Sequence, residues 1–294
     1  MAPGHPERPD RLRAVMKALD APQFAALTRA EAPLALRADI ARVHPAEYFD
    51  AIEKAAPKTG LRRLDADTAM GPGTWEAALR AAGGAVLAVD QVMTGKSPNA
   101  FVATRPPGHH AERATPMGFC FFNNAAVAAR HAQSAHGATR VAIVDFDVHH
   151  GNGTQDIFWD DASVMYCSTH EMPLYPGTGA KSERGDHDTI VNAPLRAGDG
   201  GAVFRDAFRS AVLPRLTNFA PDLVIISAGF DAHRRDPLAN LMLEAEDFSW
   251  VTRELMTLAR RHAGGRVVSL LEGGYDLEAL SVSSAAHVEG LMEG

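Results

Sequence analysis

Four ionisable side chains crowd into the segment VDFDVHHGNGTQ, which runs from Val144 to Gln155 directly behind an apolar run typical of a buried strand. Side chains at positions i and i+2 of an extended chain point the same way. Asp147 and His149 can therefore face a single ion, while Asp145 shares that side one step deeper. Because a buried carboxylate is costly unless it is paired or binds a metal, the spacing predicts a metal site at the end of this strand.

A third ligand is expected from another strand end. Asp231 lies two residues beyond Gly229, which ends the apolar run of DLVIISAG. One histidine with carboxylates suits a catalytic divalent ion, which needs about three protein ligands and a free position for water. An aspartate after a strand also commonly caps the following helix. The metal reading of Asp231 therefore depends on the other strand ends that carry matching residues.

Two adjacent histidines, His109 and His110, end the segment RPPGHH. The prolines and the glycine before them favour a rigid, tightly turned loop that can hold imidazoles in register. Hydrolysis at a metal needs a base for the attacking water and an acid for the leaving group, and an oriented histidine can serve both steps. Asp145 and Asn152 are the candidate partners for this pair. A histidine pair without a catalytic role is the alternative.

The segment LEGGYD places Tyr275 after two glycines. Such glycines let a loop turn sharply and present a phenol to a site. A phenol beside a metal can donate a hydrogen bond to a developing oxyanion. Taken alone, a tyrosine in this position is more often a packing residue.

These segments follow apolar runs that alternate with amphipathic ones, which predicts an α/β fold with a mainly parallel sheet covered by helices on both faces. In such sheets ligands bind beyond the carboxyl ends of the strands, where the segments above converge. The predicted strands are Ala100–Thr104, Arg140–Phe146, Ser163–Ser168, Asp222–Ala228 and Arg266–Leu271. The predicted helices are Trp75–Met93, Asn123–His136, Ala202–Phe219, Glu246–His262 and Leu277–Met292. We see no internal repeat or linker, so residues 1–294 are predicted to form one catalytic domain.

Composition narrows the class of protein. The 294 residues are 46% hydrophobic and 22% charged, with a formal net charge of −7, which argues against direct nucleic-acid binding or binding to an anionic membrane. No apolar stretch approaches the ~18 residues of a membrane span, and the N-terminus lacks the apolar core of a signal peptide. Two cysteines offer no disulfide framework. We therefore expect a cytoplasmic protein.

Six motifs in this order resemble the histone deacetylase family, within the wider arginase/deacetylase fold: RPPGHHA, GFCFFNNAAVAA, VDFDVHHGNGTQ, YPGTG, SAGFDAHRRDPL and LEGGYD. The resemblance runs from GHPERPDR, at Gly4–Arg11, to the C-terminus. Asn152 makes the HHGNGTQ form similar to class II enzymes and their bacterial amidohydrolase relatives, since class I members carry Asp there. Members also usually have a further strand before GHPERP, so we expect that strand to be missing here.

The resemblance implies a zinc ion held by Asp147, His149 and Asp231, with ferrous iron as the alternative metal in the cell. It implies that His110 acts as general base and then acid, deprotonating the zinc water. In the family pattern Asn152 lies behind His110. His109, backed by Asp145, acts mainly as an electrostatic partner, and Tyr275 polarises the acyl carbonyl.

The resemblance also implies a tunnel for the acyl-lysine stem, walled by Phe119 and Tyr175, with the Gly118 carbonyl accepting from the substrate amide. The wall position of Tyr175 is often Phe in the family. A structural potassium ion is implied behind the zinc strand, at the side chains or carbonyls of Asp145, Asp147, His149, Ser168 and Thr169.

The implied activity is zinc-dependent removal of acetyl or other acyl groups from the ε-amine of lysine, in a protein, a peptide or a small acylated amine. An acetylpolyamine amidohydrolase is the alternative. The polyamine-preferring relative has Glu directly after its DP pair, where this chain has Leu238, which modestly favours lysine; acidic residues such as Asp65 or Asp67 could still lie near the rim. A non-catalytic acyl-lysine binder is the third reading. Homo-oligomerisation stays open.

Overall fold

The computed structural model describes residues 4–294. The expectation about a strand before Gly4 falls outside these residues. Two short strands, β1 (Arg62–Arg63) and β2 (Ala69–Met70), form an antiparallel hairpin. The other strands form a six-stranded sheet: β3 (Asn99–Val102), β4 (Val141–Asp145), β5 (Val164–Glu171), β6 (Ile190–Leu195), β7 (Leu223–Ala228) and β8 (Val267–Leu271).

The helices occupy most of the chain between the strands. In order they are α1 (Pro9–Leu19), α2 (Arg37–Ile40), α3 (Ala46–Ala55), α4 (Thr74–Met93), α5 (Asn124–His136), α6 (Asn152–Ile157), α7 (Gly201–Ala207), α8 (Leu213–Phe219), α9 (Ala245–His262) and α10 (Leu277–Met292). Among residues 4–294, no helix combines the length and apolarity that a membrane crossing requires.

The large sheet has the strand order β3-β8-β7-β4-β5-β6, and every neighbouring pair is parallel. Both faces of its central strands are buried. In β4, Val141 and Ile143 pack into the core that α4 and α5 share, while Ala142 and Val144 pack into the core on the other face, with α9 and α10. Because neither face meets water, the strands read as unbroken apolar runs. This confirms the predicted α/β class and the sheet covered on both faces.

Within the large sheet, one strand was not predicted and another is longer than predicted. Strand β6, at the edge beyond β5, was not predicted, because it follows a long polar loop and contains Asn192 and Pro194. Strand β5 continues past its predicted end at Ser168 to Glu171. The polar residues of this extension are buried through specific partners, since His170 contacts the Ser168 hydroxyl and Glu171 accepts from Asn240.

The predicted helix Ala202–Phe219 is also not uniform. Helices α7 and α8 are joined by a wider turn at Phe208–Val212, in which the Leu213 amide donates to the Phe208 carbonyl. Pro214 follows directly and has no N–H to donate to the preceding turn. The wider turn therefore lies where the proline interrupts regular hydrogen bonding.

Candidate active site

Three metal-ligating side chains meet at the centre of the carboxyl edge. Asp147 and His149 follow β4, and Asp231 follows the neighbouring strand β7. One ligand atom of each lies within 4.8 Å of the other two, and all three side chains are buried. The Nδ1 atom of His149 is 3.1 Å from Oδ2 of Asp231 and 3.3 Å from Oδ1 of Asp147. The structure thus brings together the three residues expected to be ligands.

The electrostatics of this cluster suit a divalent cation. Burial opposes the charged form of His149, but hydrogen bonds to Asp147 and Asp231 raise the pKa of its imidazole to about 10. Burial, together with the charge of Asp147, raises the pKa of Asp231. Two buried carboxylates thus share a single imidazole as their nearby source of positive charge. A divalent ion would supply that charge, and one nitrogen with two oxygen donors is a donor set that Zn²⁺ or Fe²⁺ accepts.

Backbone amides hold both carboxylates in place. Gly273 donates to Oδ2 of Asp147 at 2.8 Å, and Val148 donates to Oδ1 of Asp231 at 2.9 Å. Such contacts orient metal ligands. A Cβ atom on Gly273 would lie 2.1 Å from Oδ2 of Asp231. Only glycine allows the loop after β8 to approach the two carboxylates this closely.

The two histidines after β3 have different partners. His109 Nδ1 lies 3.0 Å from Oδ2 of Asp145, whereas His110 Nδ1 lies 2.8 Å from Oδ1 of Asn152. Burial disfavours both imidazolium forms. For His109 the charges of Asp147 and Asp145 outweigh burial and raise its pKa well above its usual value. For His110 the neighbouring His109 and His149 add to burial and lower its pKa well below the usual value. The pair therefore offers one charged and one neutral imidazole.

Tyr275 is fixed from both sides. Its backbone amide donates to Oδ2 of Asp236 at 2.7 Å, and the guanidinium of Arg11 lies over its ring, 4.7 Å from the centroid. Arg11 is buried and is itself held by the backbone carbonyls of Glu272 and Gly274 in the same loop. Burial raises the pKa of the Tyr275 phenol, so the hydroxyl stays protonated and can act as a donor.

The predicted tunnel residues surround this centre. The ring of Phe119 packs edge-on against Tyr275 at 5.9 Å, and the ring of Tyr175 packs edge-on against His110 at 5.1 Å. Gly118 and Phe119 both have positive φ, 56° and 68°. A Cβ atom on Gly118 would lie 2.3 Å from the His110 ring. The Gly118 amide donates to Oδ1 of Asp67 at 3.0 Å, which places that carboxylate beside the predicted tunnel wall.

Glu272 is a further residue of this centre, and its role was not predicted from the sequence. It is fully buried, and its Oε2 accepts from the backbone amides of Gly108 and His109 at 2.7 and 3.2 Å, while its Oε1 accepts from Ser227. The loop that carries Tyr275 thereby holds the loop that carries the histidines. Its position in the motif LEGGYD could have indicated that Glu272 belongs to the site, but the motif does not indicate which groups Glu272 binds.

The remaining predicted residues lie next to this centre. Ser168 pairs in register with Asp145, behind the metal ligands. The hydroxyl of the next residue, Thr169, is buried without a hydrogen-bond partner in the part of the chain that the structure describes. Leu238 is partly buried, and its amide donates to Oδ1 of Asp236, the carboxylate that also accepts from Tyr275.

A parallel α/β sheet that gathers buried carboxylates, imidazoles and a phenol at its carboxyl edge defines a hydrolase with the arginase/deacetylase type of fold. The family model described as Histone deacetylase domain matches residues 5–291. The chain belongs to the histone deacetylase family, and it is a hydrolase of the deacetylase and amidohydrolase kind.

Individual relatives agree with this assignment. The chain is 40% identical to the Histone deacetylase-like amidohydrolase of Pseudomonas aeruginosa, over 99% of this chain and 77% of that protein. It is 40% identical to Histone deacetylase 14, chloroplastic, of Arabidopsis thaliana, over 98% of this chain and 73% of that protein. The crystal structure of the HDA15 HD domain superposes with a TM-score of 0.94 at 40% identity, covering 100% of this chain and 83% of that one.

Proposed function

We propose that this protein is a zinc-dependent deacylase that removes acetyl or other acyl groups from the ε-amine of lysine, in proteins, peptides or small acylated amines. The convergence of Asp147, His149 and Asp231 beside His110 supports this proposal most directly. When bound by these three ligands, zinc or ferrous iron would polarise the amide carbonyl and acidify a coordinated water.

His110 is the proposed general base. The Nδ2 group of Asn152 donates to Oε1 of Glu112 at 2.9 Å, so its Oδ1 faces His110 and accepts the Nδ1 proton. This leaves the lone pair on Nε2 of His110. Its lowered pKa keeps the ring neutral and able to take a proton from the attacking water. The same nitrogen then gives that proton to the leaving amine.

Tyr275 and His109 supply the remaining polarisation. The protonated phenol of Tyr275 can donate to the acyl oxygen as negative charge develops there. The charges of Asp147 and Asp145 favour the charged form of His109, which contributes a fixed positive charge beside Asp147. Collapse of the tetrahedral species breaks the C–N bond and releases the amine and a carboxylate, which is acetate for an acetyl substrate.

A structural potassium ion is part of the proposal. Its site would lie behind the metal ligands, formed by the side chains or carbonyls of Asp145, Asp147, His149, Ser168 and Thr169. The buried oxygen-bearing side chains of Asp145 and Ser168, which pair in register on neighbouring strands, support this part of the proposal.

An acetylpolyamine amidohydrolase is the second candidate, and Asp67 is the observation that favours it. Its carboxylate lies beside the wall residue Tyr175, and burial together with this carboxylate raises the pKa of the Tyr175 phenol. A carboxylate at a tunnel mouth could meet the distal ammonium of a polyamine. Leu238, in the position where the polyamine-preferring relative has Glu, favours lysine instead.

The test is the kcat/KM of the zinc-loaded protein on an acetyl-lysine peptide and on a monoacetylated polyamine, with Tyr275→Phe as control. A peptide preference that collapses in Tyr275→Phe supports the lysine deacylase. A polyamine preference would support the second candidate, in which the Asp67 carboxylate determines specificity. Inactivity on both, and on longer acyl chains, would contradict a catalytic role and leave the non-catalytic acyl-lysine binder.

A further inference from the structure

A second cluster of metal-ligating side chains lies between helices α4 and α5. Asp90 belongs to α4, His131 lies in the third turn of α5, and His136 is its last residue. The Oδ1 atom of Asp90 is 2.7 Å from Nε2 of His131 and 2.7 Å from Nε2 of His136. Among residues 4–294, this cluster and the one at Asp147 are the groups in which three such donors converge within 4.8 Å.

The two clusters share a geometry. In each, ring nitrogen and carboxylate oxygen atoms that would be ligands lie at hydrogen-bonding distance from one another around a common centre. The side chains of His131 and His136 are 9% and 17% exposed, so both rings are largely held in place. The side chain of Asp90 is 47% exposed, which leaves a route for an ion and room for water ligands.

From this arrangement we propose that Asp90, His131 and His136 form a second transition-metal site that joins α4 to α5. Two imidazoles and one carboxylate favour Zn²⁺, Co²⁺, Ni²⁺ or Cu²⁺ over Mg²⁺ and Ca²⁺, which prefer all-oxygen sites. Three protein ligands leave a coordination position for water. The site is separate from the reaction centre and does not depend on the function proposed above.

Binding requires a tautomer change that the surroundings can accommodate. In its neutral form each ring carries its proton on Nε2, because both Nε2 atoms face the same carboxylate oxygen. Coordination through Nε2 moves that proton to Nδ1, without net proton release. For His136, Nδ1 has no hydrogen-bond partner among the described residues, so it is free to take the proton.

At His131 the tautomer change meets one opposing charge. Nδ1 of His131 lies 3.2 Å from a guanidinium nitrogen of Arg42, which must move aside. Arg42 is partly exposed and already pairs with Asp39 at 2.6 Å. Oδ1 of Asp39 lies 3.9 Å from the same ring nitrogen, so it can accept the new N–H and orient the ligand, as carboxylates do behind metal-bound histidines. Arg42 therefore weakens the site without blocking it.

The experiment compares zinc binding to the full-length protein and two histidine variants after chelator treatment and desalting. His136→Gln removes one proposed ligand at the end of α5. His262→Gln is the matched control, because His262 is likewise the last residue of a helix, α9. Bound zinc is measured by elemental mass spectrometry, and cobalt spectra give the ligand field. We expect one more zinc ion per chain in the wild type and in His262→Gln than in His136→Gln.

The zinc affinity of Arg42→Ala is a second measurement, and it would not change if the three side chains formed only a hydrogen-bonded cluster. Removing a cation next to the bound ion is expected to tighten zinc binding at the site that His136→Gln removes, on the order of tenfold. Equal zinc content and affinity in the wild type and His136→Gln would overturn the proposal. An Arg42→Ala variant with unchanged zinc affinity would overturn it as well, since the ion would then lie elsewhere.

Discussion

Oδ1 of Asn152 accepts the Nδ1 proton of His110 at 2.8 Å, while Oδ2 of Asp145 lies 3.0 Å from Nδ1 of the adjacent His109. Two neighbouring imidazoles thus differ in whether a neutral amide or a carboxylate lies behind them. Their pKa values are shifted in opposite directions. The partner behind the ring therefore helps decide which histidine is neutral and able to accept a proton.

Asn152→Asp should move the acid limb of the kcat/KM profile to higher pH. A carboxylate next to His110 favours its imidazolium form and raises its pKa by about one unit or more. A larger fraction of the base is then protonated near neutral pH, so activity falls there and recovers as the pH rises. The measurement is kcat/KM from pH 5.5 to 9.5, with Asn218→Asp on the exposed end of α8 as charge-matched control. If the acid limb of kcat/KM does not shift in Asn152→Asp, His110 is not the general base.

Tyr275→Phe should lower kcat by about 10² to 10³, the loss typical of one oxyanion donor. The fold should persist, because Arg11 still packs on the ring and the backbone amide still donates to Asp236. Tyr175→Phe is the control, since it also removes a phenolic hydroxyl and only adjusts the wall. We expect its kcat within a few-fold of the wild type. Equal effects of the two variants would contradict the role of Tyr275.

Glu272→Gln should change how stability depends on pH. Burial raises the pKa of Glu272 to about 7, so its stabilising contribution is complete below about pH 4.5 and is lost as the pH rises towards 7 and above. Glutamine has no such loss. Relative to wild type, the variant should therefore gain up to about 3 kcal/mol in free energy of unfolding between pH 4.5 and 8.

The measurement for Glu272 is chemical denaturation of both proteins with chelator present, so that metal binding does not add its own pH dependence. Glu171→Gln is the matched replacement of another buried carboxylate, one that is bonded to Asn240. A constant difference between Glu272→Gln and wild type across this range would show that Glu272 does not titrate in the folded protein.

Removing the metal should abolish activity and lower the melting temperature. A ligand present at about 1,000 times its Kd stabilises the native state by about 4 kcal/mol. Asp231→Asn should lose most of this zinc-dependent stabilisation, because it replaces a charged carboxylate ligand with a neutral amide. Calorimetry with and without zinc gives the shift, and His187→Ala, in an exposed loop, is the control. Stabilisation that survives in Asp231→Asn but disappears on adding His136→Gln belongs to the site between α4 and α5.

Leu238→Glu should shift specificity towards acetylated polyamines. The backbone amides of Leu238 and Tyr275 both donate to Asp236, so position 238 lies on the loop that holds Tyr275. Attraction of a distal ammonium should raise the polyamine-to-peptide ratio of kcat/KM by about tenfold. Leu238→Gln, of similar size but uncharged, should leave the ratio unchanged. The same ratio in both variants would exclude an electrostatic role for this position.

Much of the candidate site could be predicted from the sequence because its signals are local. The i, i+2 spacing of Asp147 and His149 fixes their common direction on any extended chain. Parallel strands end at one edge, which brings Asp231 and the histidine loop towards them whatever the details of packing. The apolar runs of β4 and β7 also required burial on both faces.

Contacts between distant segments were decided by the tertiary structure alone. Glu272 lies 164 positions from Gly108, and no local pattern links a carboxylate to the amides that it will hold. Asp90 meets two histidines only because α4 packs against α5. Strand β6 and the polar end of β5 form despite weak strand signals, since neighbouring strands and buried partners satisfy their polar groups. Residue types and periodicity therefore determined which chemistry this chain carries, whereas packing decided which charges face one another, because electrostatic partners depend on distance in space and not along the chain.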